Sequence, residues 1–146
     1  MRNFSKMKLV REHIEFERGL EPKQALSLGK RALIKKWFDD LGYGPNEYII
    51  NADFSIDVRG NLDLRGTQIT SLPDNLSVKG YLNLRGTNIT SLPDNLNVGG
   101  CLYLEGTKIT SLPDNLNVGG CLYLEGTKIT SLPDSLSIKR EIYKDF

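Results

Sequence analysis

The sequence predicts an α/β-repeat protein: a right-handed solenoid of about four to five coils, capped at its N-terminus by a helical hairpin. Three observations predict this fold. A unit of twenty residues is written four times between Asn61 and Arg140, apolar residues recur at the same places in each copy, and the chain before the copies has helical spacing. A fixed period of this length is typical of solenoids, in which each unit buries its apolar side against its neighbours.

The four copies differ little from one another. They are NLDLRGTQITSLPDNLSVKG, YLNLRGTNITSLPDNLNVGG, CLYLEGTKITSLPDNLNVGG and CLYLEGTKITSLPDSLSIKR, and the second and third agree at 16 of 20 positions. Apolar and polar residues alternate around Tyr103, which predicts a strand with its leucines on one side. Gly106 ends that strand, and Pro113 opens a turn. The third copy therefore contributes six inward residues to the core: Leu102, Leu104, Ile109, Leu112, Leu116 and Val118.

The run L-x-L-x-x-T-x-I-T-S-L-P resembles a leucine-rich repeat. Its Leu-Pro ending and its length are similar to the short class found in bacterial effector proteins. The resemblance covers about 80 of the 146 residues and implies the solenoid fold, but no particular activity. Threonine stands where the family has asparagine, at Thr67, Thr87, Thr107 and Thr127. We expect a ladder of hydroxyls to replace the missing amide.

The first part of the chain, residues 1–47, is predicted to be a helical capping segment. Apolar residues at helical spacing indicate one helix over Lys6–Arg18 and a second that begins near Pro22 and ends at Gly42, with a possible break at Ser27 or Gly29. A solenoid exposes the apolar end of its first coil, and a helical hairpin would cover it. Alternatively, the helices form a separate binding element, because residues 1–48 hold ten Lys and Arg against seven Asp and Glu.

The repeat array is predicted to span residues 48–146 and to end in a truncated coil. In the junction Tyr48–Val58, Ile49, Phe54, Ile56 and Val58 alternate with polar residues and form a partial first coil. The junction and the K-K-W and F-D-D-L-G segments before it are similar to uncharacterised repeat proteins of bacteria and their phages. At the other end, Lys144 stands where Leu124 is buried, so its charge spoils the last strand and guards the open edge.

The sequence offers no catalytic, metal or cofactor site. Two cysteines and one histidine do not make a four-ligand zinc site. Cys101 and Cys121 are repeat positions without a nearby base, so reduced structural thiols are expected. Gly29-Lys30 lacks the first glycine and the Ser/Thr of a phosphate-binding loop. Each aspartate after a repeat proline, such as Asp114, is explained by turn capping.

The outward residues of each strand are expected to line a concave binding face. The inward positions hardly vary between copies, whereas these outward positions do. Tyrosine and arginine are the residues that most often carry interface energy, although aromatic residues also simply cover a pleated sheet. The predicted partner-binding residues are Tyr81, Tyr103, Tyr123, Tyr143, Arg65, Arg85, Glu105 and Glu125, with the arginines at one end of the face and the glutamates at the other.

These features predict a non-catalytic protein-binding module, not an enzyme, located in the cytoplasm of a bacterial or phage-infected cell. The loose resemblance to phage proteins further leads us to expect that it inhibits a bacterial protein, such as one of a defence complex. Two alternatives stay open: a structural or self-associating protein such as a virion component, and nucleic-acid binding through the basic helices. The formal net charge of +1 disfavours nucleic acid. No membrane span or signal segment is expected.

Overall fold

A computed structural model describes residues 22–146, with side chains from residue 29 onward. The chain divides into two compact units, with the division between Tyr43 and Gly44. The predicted helix over residues 6–18, and with it the first arm of the hairpin, lies outside the described residues.

One helix, α1 (Pro22–Asp40), is described in the first unit. It runs through Gly29 without the break that the sequence allowed. Its end is closed by three amides that donate to the last carbonyls, including Tyr43 N–H to Phe38 O at 2.9 Å. Gly42 adopts φ 87°, the left-handed conformation in which glycine commonly follows a helix. The aromatic ring of Phe38 is fully buried and packs edge-on against Trp37 and Tyr43.

The second unit is a β-solenoid of about four turns built from eleven short strands. They form two sheets, because each coil contributes one strand to each sheet. The strands are β1 (Tyr48–Ile50), β2 (Ile56–Val58), β3 (Leu62–Asp63), β4 (Leu76–Val78), β5 (Leu82–Asn83), β6 (Asn97–Val98), β7 (Leu102–Tyr103), β8 (Asn117–Val118), β9 (Leu122–Tyr123), β10 (Ser137–Ile138) and β11 (Ile142–Tyr143).

Successive coils pair in parallel and in register. One sheet has the order β1-β2-β4-β6-β8-β10, and we call it the hairpin sheet because it contains the antiparallel pair β1-β2. The other has the order β11-β9-β7-β5-β3, and we call it the tyrosine sheet. Each residue pairs with its equivalent one repeat away, as Tyr103 does with Tyr123. The ladder continues beyond the strands, where Leu104 N–H donates to Tyr123 O at 3.0 Å.

The predicted core is confirmed. Leu102, Leu104, Ile109, Leu116 and Val118 are fully buried, and Leu112 is 7% exposed. Each such leucine or isoleucine removed from water contributes about 1.5–3 kcal/mol to folding. The core is therefore a stack of aliphatic layers, one layer per coil.

The turn after each strand of the tyrosine sheet corrects one expectation. The hydroxyl of Thr107 donates to Leu104 O at 2.7 Å, and its N–H donates to the same oxygen at 3.1 Å. The same pair of bonds is made by Thr67, Thr87 and Thr127. The hydroxyls thus close a turn within their own coil and do not form a ladder between coils. Gly106 follows the strand with φ 72°, as a turn at this place requires.

The entry to the array is also different from the prediction. β1 pairs antiparallel with β2, and Ile49 lies opposite Asp57. Ile49 was expected to face the core, but it is 39% exposed, whereas Tyr48 is buried. The reason is the register: Tyr48 pairs with Val58, so it shares the inward side of that residue.

Candidate functional site

The candidate site is the outward side of the tyrosine sheet, which we call the tyrosine face. It consists of the first, third and fifth residues of each coil, where buried leucines alternate with more exposed side chains. Its members are Asn61, Asp63, Arg65, Tyr81, Asn83, Arg85, Cys101, Tyr103, Glu105, Cys121, Tyr123, Glu125, Glu141, Tyr143 and Asp145.

A column of aromatic rings runs along this face. Tyr103 and Tyr123 stack with ring centroids 4.8 Å apart and planes 11° apart, and Tyr123 and Tyr143 stack at 4.7 Å and 7°. Tyr81 meets Tyr103 edge-on at 6.0 Å. In-register strands produce this geometry, because equivalent side chains are repeated at the spacing of neighbouring strands. Rings at this distance leave no slot between them, so the column presents ring edges and hydroxyls to solvent.

Arg85 lies over the first ring of the column. Its guanidinium carbon is 4.2 Å from the centroid of Tyr103, and its Nε donates to Glu105 Oε1 at 2.7 Å. The arginine therefore makes a cation–π contact and an ion pair at once. Glu105 is the residue equivalent to Arg85 in the next repeat, so the two side chains are neighbours on adjacent coils.

Arg65 has a different partner. It forms a two-pronged ion pair with Asp63, with Nε to Oδ1 at 3.0 Å and Nη2 to Oδ2 at 2.9 Å. Hydrogen bonding to Asp63 raises the pKa of Arg65. Both arginines of the face are therefore held in local ion pairs within the first three coils. The Asp63–Arg65 pair is compatible with the sequence pattern, because residues two apart on a strand point to the same side.

The phenols of the column are held in the neutral form. Burial raises the pKa of Tyr103 and of Tyr123 above the ordinary value, and nearby thiols add to the effect. Tyr143 donates its hydroxyl to Glu141 Oε2 at 2.6 Å, and this bond raises the pKa of Tyr143 to about 12. The column therefore keeps its hydroxyl groups protonated to a higher pH than ordinary tyrosines do.

The hydrogen bond of Tyr143 predicts an unusually high pH for the ionisation of its phenol. Since the folded pKa is above the ordinary 10.0, the bond stabilises the fold below pH 10 and this stabilisation is lost as the pH rises through about 12. An ultraviolet difference titration of the wild type against Tyr143→Phe should show one phenol ionising near pH 12. Glu141→Gln should return this phenol toward its ordinary pKa. An unchanged midpoint in that variant would show that the glutamate is not the cause.

The two cysteines lie on the tyrosine face as free, half-buried thiols. Cys101 Sγ accepts the backbone N–H of Cys121 at 3.2 Å, which gives the sulfur a structural role between two coils. Within residues 22–146, no three His, Cys, Asp or Glu side chains are grouped as a metal site would need. No helix of the described segment is long and apolar enough to cross a membrane.

A separate surface feature lies along β2, β4 and β6 of the hairpin sheet. It is a groove of about 610 Å³ that brings together none of the predicted site residues. The outward residues Asp57, Ser77 and Asn97 lie along it, with Arg59 and Lys79 beside them. The sequence signal for this sheet is the L-x-V alternation of each repeat, from which no second strand was predicted.

Comparisons with protein families, with curated proteins and with solved structures gave no match. The chain's function is therefore inferred from its own geometry.

Proposed function

We propose that this chain is a right-handed leucine-rich-repeat protein of the short bacterial type and that it binds a partner protein through the tyrosine face, without catalysis. The partner is a bacterial protein, such as part of a defence complex, and the chain inhibits it in the cytoplasm of a bacterial or phage-infected cell. This choice of partner rests on the loose resemblance to phage and bacterial repeat proteins alone.

The observation that supports binding is the half-exposed tyrosine column itself. Stacked rings are already ordered, so little side-chain entropy is lost when a partner covers them. Each tyrosine offers an apolar ring edge and a hydroxyl that is neutral at physiological pH. The ladder of backbone bonds beneath the column holds these groups at fixed spacing. Rigid aromatic residues of this kind are those that most often carry interface energy.

The native thiols provide a test without altering the face. Cys101 and Cys121 lie beside the tyrosines and are free. We expect both to be alkylated more slowly by iodoacetamide in a complex captured from bacterial lysate than in the isolated protein. Asn117→Cys places a matched reporter on the exposed side of the hairpin sheet, and its alkylation rate should not change. Protection of position 117 in place of the native thiols would contradict the proposed face.

A further inference from the structure

The charges of the tyrosine face divide into paired and unpaired sets. In the first three coils each arginine has its own carboxylate: Arg65 with Asp63, and Arg85 with Glu105. These coils therefore present little net charge to a partner. The Arg85–Glu105 pair is half-exposed to water, so it orders the arginine more than it stabilises the fold.

The last two coils carry three carboxylates on the same face. Glu125 is exposed, Glu141 accepts the hydroxyl of Tyr143, and Asp145 accepts the backbone N–H of Gly126 at 3.1 Å. Within residues 22–146 none of the three is paired with a lysine or arginine. Lys144, the neighbour of Asp145 in sequence, is engaged elsewhere, because its Nζ donates to Phe146 O at 2.6 Å and lies 4.6 Å from the Phe146 ring centroid.

The chain contains an internal example of what these groups bind. Arg85 covers the ring of Tyr103 on one side while Glu105, on the coil of that tyrosine, accepts from its guanidinium. Tyr143 and Asp145 occupy the equivalent places in the last coil. Tyr143 stacks on Tyr123 alone and is 39% exposed. An aromatic ring and a carboxylate are thus presented together where no internal arginine pairs with them.

We infer that the last two coils of the tyrosine face bind an arginine side chain from a basic segment of the partner protein. The guanidinium stacks on Tyr143 and pairs with Asp145, and Glu125 and Glu141 attract the basic residues beside it. Arginine fits better than lysine, because its planar group stacks on aromatic rings and donates two parallel hydrogen bonds to a carboxylate. The local negative charge opposes binding of nucleic acid at this place. This inference rests on the proposed function and names the chemistry of its partner.

Fluorescence anisotropy with labelled hexa-arginine and hexa-lysine peptides tests the inference on the full chain at an ionic strength of about 0.1 M. We expect hexa-arginine to bind more tightly than hexa-lysine. The triple variant Glu125→Gln, Glu141→Gln, Asp145→Asn should lower the affinity for hexa-arginine by about tenfold or more. Tyr143→Leu keeps an apolar side chain but removes the ring. It should weaken binding of hexa-arginine by about three- to fivefold and binding of hexa-lysine by less, because only the planar guanidinium stacks on the ring.

The matched control removes the same number of charges from the turns between the two sheets. Asp94→Asn, Asp114→Asn, Asp134→Asn replaces three exposed carboxylates. It should change hexa-arginine affinity by less than about threefold, because exposed charges more than about 10 Å apart are screened at moderate salt. Equal losses in the two triple variants would overturn the inference, since binding would then report net charge alone. Absence of an arginine preference would overturn it as well.

The captured partner separates this inference from the proposed function. If Tyr103→Ala with Tyr123→Ala loses the partner while the carboxylate triple variant keeps it, the face binds but the arginine assignment is wrong. If both variants keep the partner at wild-type affinity, the proposed binding face itself is wrong. Loss of the partner in both variants, together with the expected peptide results, supports both the binding face and the arginine assignment.

Discussion

Replacing Gly99 by alanine is expected to lower the free energy of unfolding by about 1–3 kcal/mol, the usual cost of forcing extra atoms into a place where the chain is already closely packed. A Cβ at this position would overlap the carbonyl oxygen of Lys79 in the preceding coil, which is backbone and cannot move aside. The two coils approach each other closely at this corner. Gly99 N–H donates to Val78 O at 2.7 Å, whereas the equivalent bond from Lys79 to Val58 O is 3.0 Å.

Gly60→Ala is the matched control for this prediction. Gly60 stands at the neighbouring corner position of an earlier coil, and an added Cβ would meet no atom within 4 Å. Its effect should stay within about 0.5 kcal/mol, as for most exposed substitutions. Urea unfolding followed by circular dichroism measures both variants. Equal stabilities would mean that the coils are not packed at the spacing described here.

The period and the core of the solenoid were predictable from the sequence because side-chain burial repeats with the chain. Leu102 and Leu104 alternate with polar neighbours, and four copies of the same alternation leave one consistent inward set. The antiparallel pairing of β1 was not predictable in the same way. The junction occurs once, so no second copy of Ile49 and Tyr48 exists to show which of them faces inward.

The candidate site was predictable in position but not in detail. The stacking of Tyr103, Tyr123 and Tyr143 follows from their shared place in successive coils. The pairing of Arg85 with Glu105 was missed, since the arginines and glutamates were treated as opposite ends of a gradient. Ion pairing depends on side-chain rotamers, which a repeat pattern does not specify. The same limit applies to the threonine hydroxyls, whose acceptor lies within the coil.

The second large effect is expected for the pair of central tyrosines. Replacing both Tyr103 and Tyr123 by alanine should lower the affinity for the captured partner by at least about a hundredfold. Hot-spot residues at the centre of an interface each contribute about 2 kcal/mol or more to binding. The fold should persist, since both side chains lie on the outward side of the sheet and the buried leucines are unchanged. The variant loses ring stacking worth about 0.5–1.5 kcal/mol per pair.

Asn97→Ala with Asn117→Ala is the matched control on the hairpin sheet. These asparagines are also one repeat apart, and both are exposed. Partner affinity should remain within about threefold of the wild type, as expected for exposed residues outside an interface. Thermal unfolding of both double variants verifies that any loss of affinity is not a loss of structure.

The dissociation constant of the captured partner, measured by calorimetry for the wild type and these two double variants, tests the binding face most directly. We predict a large loss for the tyrosine variant and almost none for the asparagine variant. Wild-type affinity in a folded tyrosine variant, or a selective loss in the asparagine variant, would contradict the assignment of binding to the tyrosine face.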